Sequence, residues 1–308
     1  MELDRNFTNW IKFFSCIMVA VHHYSQYVIS NNISHNLLYK AFSSQGGYLG
    51  VAVFFFLSGY GLMKSDMIKH LSFGNFVKRR LMKVYFPVVL VTTIWLPIYY
   101  TLMGKGDLFI IDVLQDLLWN WKDGVLWFIR CLLQLYIAFA LYSILRLYLE
   151  SSLIRILSLC ILATLMFCLQ YFMVADYSSI SVPLFFFGIG VVEFKKIKTY
   201  LTNRWISTGV ILLMIAIVWV FRHKMLFVHA CFNYLFILLW MMFATRRTLR
   251  FKPIPKWMST MSFDVYLVHM KCLDVLISFF SIVPLYYFAG CTIIVAIAFG
   301  RLRALFKI

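Results

Sequence analysis

Charged residues are scarce in this sequence, and acidic residues are scarcer still. Only 13% of the 308 residues are charged, and 12 Asp and Glu stand against 29 Lys and Arg, which gives a formal net charge of +17. With 63% hydrophobic residues, the chain is too apolar for a soluble globular domain. Because the basic residues form clusters between hydrophobic runs, the charge favours contact with the anionic lipids of a bilayer over contact with nucleic acid.

The sequence also lacks the cysteine spacing of a metal site or a disulfide framework. None of its seven cysteines forms a Cys-x-x-Cys pair, and all of them fall in apolar segments. We therefore predict no metal centre and expect these side chains to act as small buried hydrophobic groups. They are Cys16, Cys131, Cys160, Cys168, Cys231, Cys272 and Cys291.

No internal repeat, low-complexity tract or soluble domain is visible along the chain, and no cleavable signal peptide is expected at its start. Glu2 and Asp4 stand beside Arg5, and the apolar run that follows is long, aromatic and without a small-residue cleavage site. We therefore expect this run to stay in the membrane as the first span, and residues 1–308 to form a single membrane domain.

Long hydrophobic runs dominate the rest of the sequence. A run of about 20 apolar residues is long enough to cross a bilayer as a helix. The sequence holds about ten runs of adequate length, which predicts an all-α, polytopic membrane protein. The predicted spans are residues 8–29, 47–64, 84–102, 125–146, 153–174, 179–194, 205–221, 226–244, 258–280 and 284–301.

The basic residues predict how these spans are oriented, because Lys and Arg accumulate in cytoplasmic loops. They are concentrated in the loops after the second, fourth, sixth and eighth spans and at the C-terminus. Both termini are therefore predicted to be cytoplasmic. The cluster Arg222 to Lys224 opposes this trend, and it indicates either a miscounted span or an external site for an acidic ligand.

The first span carries Lys12, His22 and His23 within an otherwise apolar run. An ionised side chain at mid-membrane costs about 2.5–3.5 kcal/mol on insertion scales, so such residues are functional candidates by default. Lys12 and His23 lie within about 20° of each other around the helix, on one stripe with Ser15, Cys16 and Val19, whereas His22 points about 80° away. His23 is therefore the stronger candidate, although a buried histidine bonded to a neighbouring helix has the same pattern.

Three further stretches depart from plain hydrophobic sequence. Residues 50–60 combine an aromatic block with Ser58, Gly59 and Gly61 nearby, which is also typical of close helix packing. Residues 76–87 form a basic helix end before Pro87, which is also typical of a topology signal. Residues 262–269 place polar groups at too many positions for a lipid-facing helix.

In this order, the four stretches resemble the membrane acyltransferase-3 family, whose members transfer acyl groups from coenzyme A to sugars and glycans. Two features differ from the family pattern: the first-span basic residue is Lys12 where the family often has Arg, and the spacing before Pro87 is one residue longer. The matching motifs are Lys12 with His23, Phe55 to Gly59, Arg79-Arg80 with Lys83 and Pro87, Leu126-Trp127-Phe128, and Ser262-Phe263 with Tyr266-Leu267 and His269.

The resemblance implies a stand-alone integral membrane O-acyltransferase domain over residues 1–308. Its donor would be acetyl-CoA or another acyl-CoA, its acceptor a cell-surface polysaccharide or a precursor, and its location a bacterial cell membrane. His23 is expected to be the base that takes the acceptor's hydroxyl proton, with covalent acceptance of the acyl group by His23 as the open alternative and Lys12 as a second catalytic candidate. The expected coenzyme-binding residues are Arg79, Arg80, Lys83 and Ser58, and the expected substrate or supporting residues are Arg130, Trp127, Tyr266 and His269.

A transporter or flippase for a glycan or small polar solute is the alternative from another class. In that case Lys12, His23, Arg130 and His269 would line a pathway. Residues 107–121 have the spacing of an amphipathic helix on the outer surface, which would either cover an external entrance or serve as a plain connector.

Overall fold

The computed structural model describes residues 3–69, 73–102, 127–173, 179–194, 199–200, 203–220, 225–246 and 252–306, and the elements within these ranges are helical. Two of them are short π-helices, Phe42–Gly46 and Leu81–Tyr85. The α-helices are α1 (Arg5–Ser30), α2 (Leu37–Ala41), α3 (Gly47–Lys69), α4 (Phe73–Arg80), α5 (Phe86–Leu102), α6 (Trp127–Tyr148), α7 (Ser152–Met173), α8 (Val182–Glu193), α9 (Arg204–Val220), α10 (Met225–Arg246), α11 (Lys256–Phe279) and α12 (Leu285–Leu305).

The helix bounds agree with the hydrophobic runs to within five residues, so the predicted all-α class is confirmed. Among the described residues, five stretches are long and apolar enough to cross a membrane, and the number of crossings and the cytoplasmic termini stay predictions. The five are Leu37–Met67, Phe73–Leu102, Trp127–Tyr148, Ser152–Phe172 and Leu285–Leu305. The amphipathic pattern of residues 107–121 and the cluster Arg222 to Lys224 lie outside the described residues.

Prolines and one asparagine mark several helix starts. Pro284 precedes α12 and separates it from α11, as its position between the last two runs predicts. Pro255 likewise precedes α11, where the absence of a backbone N–H costs little. Before α2, the side chain of Asn36 accepts hydrogen bonds from the backbone N–H groups of Leu38 and Tyr39, which satisfies donors that a helix start leaves open.

The chain divides into two compact units. The first unit comprises Met1–Ser15, Tyr48–Leu71 and Arg130–Ile254, and the second comprises Cys16–Gly47, Ser72–Ile129 and Pro255–Ile308. The interpretation of residues 1–308 as a single domain stays a prediction.

In the first unit, α3 and α8 pack with their backbones in contact. A Cβ atom added at Gly59 would overlap the carbonyl oxygen of Phe185, and one added at Gly188 would overlap that of Phe56. Small residues permit this approach between membrane helices. The packing interpretation is therefore confirmed for Gly59 but wrong for Gly61, where an added Cβ meets nothing within 4 Å.

We expect Gly59→Ala and Gly188→Ala each to lower the free energy of unfolding by about 1–3 kcal/mol, because the methyl group overpacks a backbone contact. Gly61→Ala is the matched control, since its methyl group enters open space and alanine favours a helix. Thermal unfolding of the purified protein in detergent measures the effect. A Gly59→Ala variant as stable as Gly61→Ala would contradict the contact.

Two ion pairs with buried carboxylates are among the polar contacts of the first unit. The carboxylate of Asp66 accepts hydrogen bonds from the Ser143 hydroxyl at 2.7 Å and from Arg146 at 3.2 Å. Glu193 accepts one from the Tyr142 hydroxyl at 2.5 Å and pairs with Arg155 at 3.1 Å. These pairs neutralise carboxylates that would be costly to bury alone.

Burial of the cysteines follows the prediction only in part. Cys16, Cys131 and Cys272 are buried, and all seven are free thiols. The expectation is wrong for Cys160, which is exposed on α7, and Cys168, Cys231 and Cys291 are partly exposed. A cysteine is hydrophobic enough to lie on a lipid-facing surface, so an apolar segment alone does not predict which face it occupies.

Candidate active site

The stripe of α1 that carries His23 faces the protein interior. Ser15, Cys16 and Val19, which share it, are each no more than 2% exposed. Lys12 and His23 are half-buried at positions along the same helix. The interior burial of this stripe accounts for polar residues that a lipid-facing helix would not tolerate.

His23 lies against His269 of α11. The two ring centroids are 5.3 Å apart, and the ring planes are inclined by 32°. Nδ1 of His23 is 3.2 Å from Oε1 of Gln26, one turn further along α1. An amide oxygen can only accept, so Nδ1 of His23 carries the proton in the neutral ring and the lone pair lies on Nε2.

His269 is fully buried, and its tautomer is set by its own helix. Its Nδ1 lies 2.7 Å from the carbonyl oxygen of Tyr266 and 3.1 Å from that of Val265. Both oxygens are acceptors, so Nδ1–H is the donor and the lone pair of the neutral ring again lies on Nε2. The sequence predicts that His269 lies in a helix with several polar residues. In the structure, its ring lies against the ring of His23.

His22 has a different environment from its neighbour. It is 8% exposed, and its Nδ1 donates to the carbonyl oxygen of Phe42 at 2.8 Å. A Cβ atom added at Gly47 would lie 2.5 Å from Cδ2 of the His22 ring, so only glycine fits there. His22 thus holds the segment before α3 against α1, which agrees with its lower rank as a catalytic candidate.

Contacts on either side of His23 hold α1 against α11 and against the segment that joins α11 to α12. The thiol of Cys16 donates to the carbonyl oxygen of Ser262 at 2.8 Å. Towards the other end, the Tyr24 hydroxyl donates to the carbonyl oxygen of Val283 at 2.8 Å, and the Val283 N–H donates to the Tyr27 hydroxyl at 3.0 Å. The histidine pair therefore lies between two anchored ends, which favours a fixed geometry.

Two of the predicted supporting residues extend this site. Tyr266 is 3% exposed, and its ring lies 5.9 Å from that of His269. The Tyr266 ring also contacts Phe128 edge-on, with the ring centroids 5.3 Å apart. Trp127 contacts Phe128 edge-on as well, at a centroid distance of 6.3 Å. Tyr266 thus adjoins the histidine pair directly, whereas Trp127 is linked to it through Phe128.

Three of the four predicted donor residues, Arg79, Arg80 and Lys83, lie on another part of the second unit. Arg79 and Lys83 are exposed, and the guanidinium of half-buried Arg80 lies 5.7 Å above the ring of Phe76. The π-helix Leu81–Tyr85 follows α4 directly. A π-helical turn holds more residues than an α-helical turn, which accounts for the one-residue longer spacing before Pro87.

Three candidates fall in the first unit, namely Lys12, Ser58 and Arg130. Ser58 is half-buried on α3 beside Gly59, and Arg130 is half-buried in the first turn of α6. Their expected roles stay predictions.

Sequence reasoning missed several residues that the structure places at or near the site. Gln26 carries no unusual signal, Phe128 was noted only as part of the Leu126-Trp127-Phe128 motif without a role of its own, and Gly47 is one of 14 glycines. Lys271 had a visible signal, as a basic residue within the apolar run of the last-but-one span. It is 4% exposed, with its ammonium 5.9 Å above the ring of Trp95.

The long apolar helices and the enclosed histidine pair define an integral membrane protein with a polar site formed by α1 and α11. The acyltransferase-3 family model, described as an acyltransferase domain, matches residues 5–301. The chain therefore belongs to the membrane acyltransferase-3 family. Neither the curated proteins nor the solved structures contain a match to the chain.

Proposed function

We propose that the protein is an O-acyltransferase that moves an acetyl group from acetyl-CoA to a hydroxyl of a cell-surface polysaccharide or its precursor. The observation that carries this proposal is His23, with its tautomer fixed by Gln26 and its ring against His269, in a chain of the acyltransferase family. An imidazole titrates near neutral pH and is the commonest general base.

The reaction needs one proton to be moved and one acyl bond to be exchanged. Nε2 of His23 takes the proton of the acceptor hydroxyl while its oxygen attacks the thioester carbonyl carbon. A C–O ester bond forms, the C–S bond breaks, and the proton passes from His23 to the departing sulfur. Gln26 keeps Nδ1–H bonded at 3.2 Å, so that Nε2 carries the lone pair that accepts the proton.

Depth along α1 agrees with an acceptor on the outer side. His23 lies about 20 Å along the helix from Trp10 at 1.5 Å per residue. With a cytoplasmic N-terminus, this distance places His23 beyond the midplane of a bilayer about 30 Å thick. The donor would enter from the cytoplasm, and its pantetheine arm would extend between the helices towards His23.

The remaining candidates would support the two substrates. Arg79, Arg80 and Lys83 would hold the phosphates of the coenzyme. Arg130 would orient the acceptor or stabilise the oxyanion. The other expected roles are Lys12 as a second charged group on the His23 stripe, Ser58 in the donor site, and Trp127 and Tyr266 as supports of the acceptor.

Replacing Arg79 and Arg80 together with alanine is expected to weaken acetyl-CoA binding by at least about tenfold, because hydrogen bonds to charged groups contribute about 1.5–3 kcal/mol each. Isothermal titration of the purified protein with acetyl-CoA measures the change. Arg301→Ala, at an exposed arginine of α12, is the matched control. Unchanged affinity in the double variant would leave these arginines as a topology signal.

Deletion of the gene in the bacterium, with complementation, tests the proposed function in the cell. Mass spectrometry of the surface polysaccharide should show loss of ester-linked acetyl groups, export of the polymer at its normal level, and recovery with the wild-type gene. Loss of exported polymer with normal acetylation of what remains would overturn the proposal and favour a transporter.

A further inference from the structure

The two histidines of the site differ in how much of their surface is exposed. His23 is half-buried, whereas His269 has 0% of its surface exposed. The rings nevertheless lie 5.3 Å apart at 32°, within the range of interacting ring systems. His269 is therefore placed to act on His23 and is enclosed too completely to meet an acceptor glycan itself.

The orientation of the His269 ring is fixed on two sides. Its Nδ1–H donates to the carbonyl oxygens of Tyr266 and Val265, which belong to its own helix. The Tyr266 ring lies 5.9 Å away and is itself held edge-on by Phe128. These contacts engage Nδ1–H, so the lone pair of the neutral ring lies on Nε2.

We propose that His269 is a positioning residue that holds the His23 ring in the orientation in which its Nε2 takes the acceptor's proton. The inference rests on the proposed function, in which His23 is the base. The proton moves from the hydroxyl to Nε2 of His23 and then to the sulfur, and His269 keeps its own proton on Nδ1. A ring from another helix, packed 5.3 Å away, restricts how far the His23 imidazole can turn.

In the described part of the chain, titratable rings adjoin the pair from α1 and α11. His22 adjoins His23 on α1, with ring centroids 4.9 Å apart, but its Nδ1 is engaged by Phe42. On α11, Tyr266 adjoins His269. Among these groups, His269 is the one whose ring meets His23 from another helix.

The test uses His269→Asn, which keeps a donor for the Tyr266 carbonyl but removes the ring, and His269→Phe, which keeps a ring. In proteoliposomes with labelled acetyl-CoA, we expect His269→Asn to lower kcat by about 10- to 30-fold with KM for acetyl-CoA changed less than twofold. The kcat of His269→Phe should be several-fold higher than that of His269→Asn. Thermal unfolding and acetyl-CoA titration confirm that both variants are folded.

A double variant separates action through His23 from a general effect on the fold. In a His23→Ala background, adding His269→Asn should leave the residual rate unchanged, because the group that His269 acts on is gone. The inference is overturned if His269→Asn keeps the wild-type kcat. It is also overturned if the double variant loses the product of the two single fold-decreases in rate. Absence of transfer by the wild-type protein would instead overturn the proposed function.

Discussion

His23→Ala is expected to lower kcat for acetyl transfer by about 100- to 10,000-fold, the range for a positioned general base. Acetyl-CoA binding should stay within about twofold of wild type, because the proposed phosphate-binding residues lie on α4 and the π-helix that follows it. Label transfer in proteoliposomes and isothermal titration measure the two quantities. Circular dichroism and thermal unfolding show whether the variant is folded.

His22→Asn is the matched control for this variant, one residue away on the same helix. In the wild type, Nδ1 of His22 donates to the Phe42 carbonyl at 2.8 Å, and the amide of asparagine can donate to the same carbonyl. We therefore expect kcat within a fewfold of wild type. Equal losses in His22→Asn and a folded His23→Ala would contradict the assignment of His23 as the base. A His23→Ala variant with wild-type kcat would do so more directly.

Asp264→Ala is expected to destabilise the protein by about 3–5 kcal/mol, because it leaves a buried arginine without its carboxylate. Asp264 and Arg303 form a two-pronged pair, with Nε to Oδ1 and Nη2 to Oδ2 both at 2.8 Å. Their side chains are 2% and 12% exposed. The pair joins α11 to α12, with Gly300 providing the space beside the carboxylate.

The double variant Asp264→Leu with Arg303→Met provides the control for this prediction. Apolar side chains of similar size replace both charges, and such replacements are often neutral or stabilising. We expect its thermal unfolding temperature in detergent to lie close to wild type and well above that of Asp264→Ala. If Asp264→Ala were as stable as wild type, the pair would contribute nothing to holding α11 against α12.

The helices could be predicted from the sequence because their signal is local. Apolar runs, Pro255, Pro284 and the basic clusters mark where helices begin and end. Helical periodicity also placed Cys16 and Val19 on the stripe of His23, and both are buried. Each of these inferences needed only neighbouring residues and the geometry of one helix.

Contacts between distant segments could not be predicted in the same way. His269 and Arg303 are identifiable as polar residues in apolar helices, but only the packing of α11 shows that one meets His23 and the other meets Asp264. Gly59 and Gly61 likewise look alike in sequence. Their difference depends on the passage of α8 beside one of them.

The sequence shows that the spacing before Pro87 is one residue longer than in the family pattern, but it does not show how the helix accommodates the extra residue. A one-residue insertion in a helix can be absorbed by a π-helical turn, and residues 81–85 form one. The Lys83 candidate lies in this turn. That Lys83 stands at the position of an arginine in the family pattern therefore remains a prediction. Titration of a Lys83→Ala variant with acetyl-CoA can test it.

Transfer of a labelled acetyl group tests the central claim most directly. Purified protein in proteoliposomes would receive acetyl-CoA labelled in the acetyl group together with the proposed acceptor, a surface polysaccharide from the source cells, and ester-linked label on this polysaccharide would be measured. We predict label on the proposed glycan acceptor with wild-type protein and with His22→Asn, and at least a 100-fold lower rate with His23→Ala. Label at the same rate with His23→Ala, or none with wild type, would contradict this account.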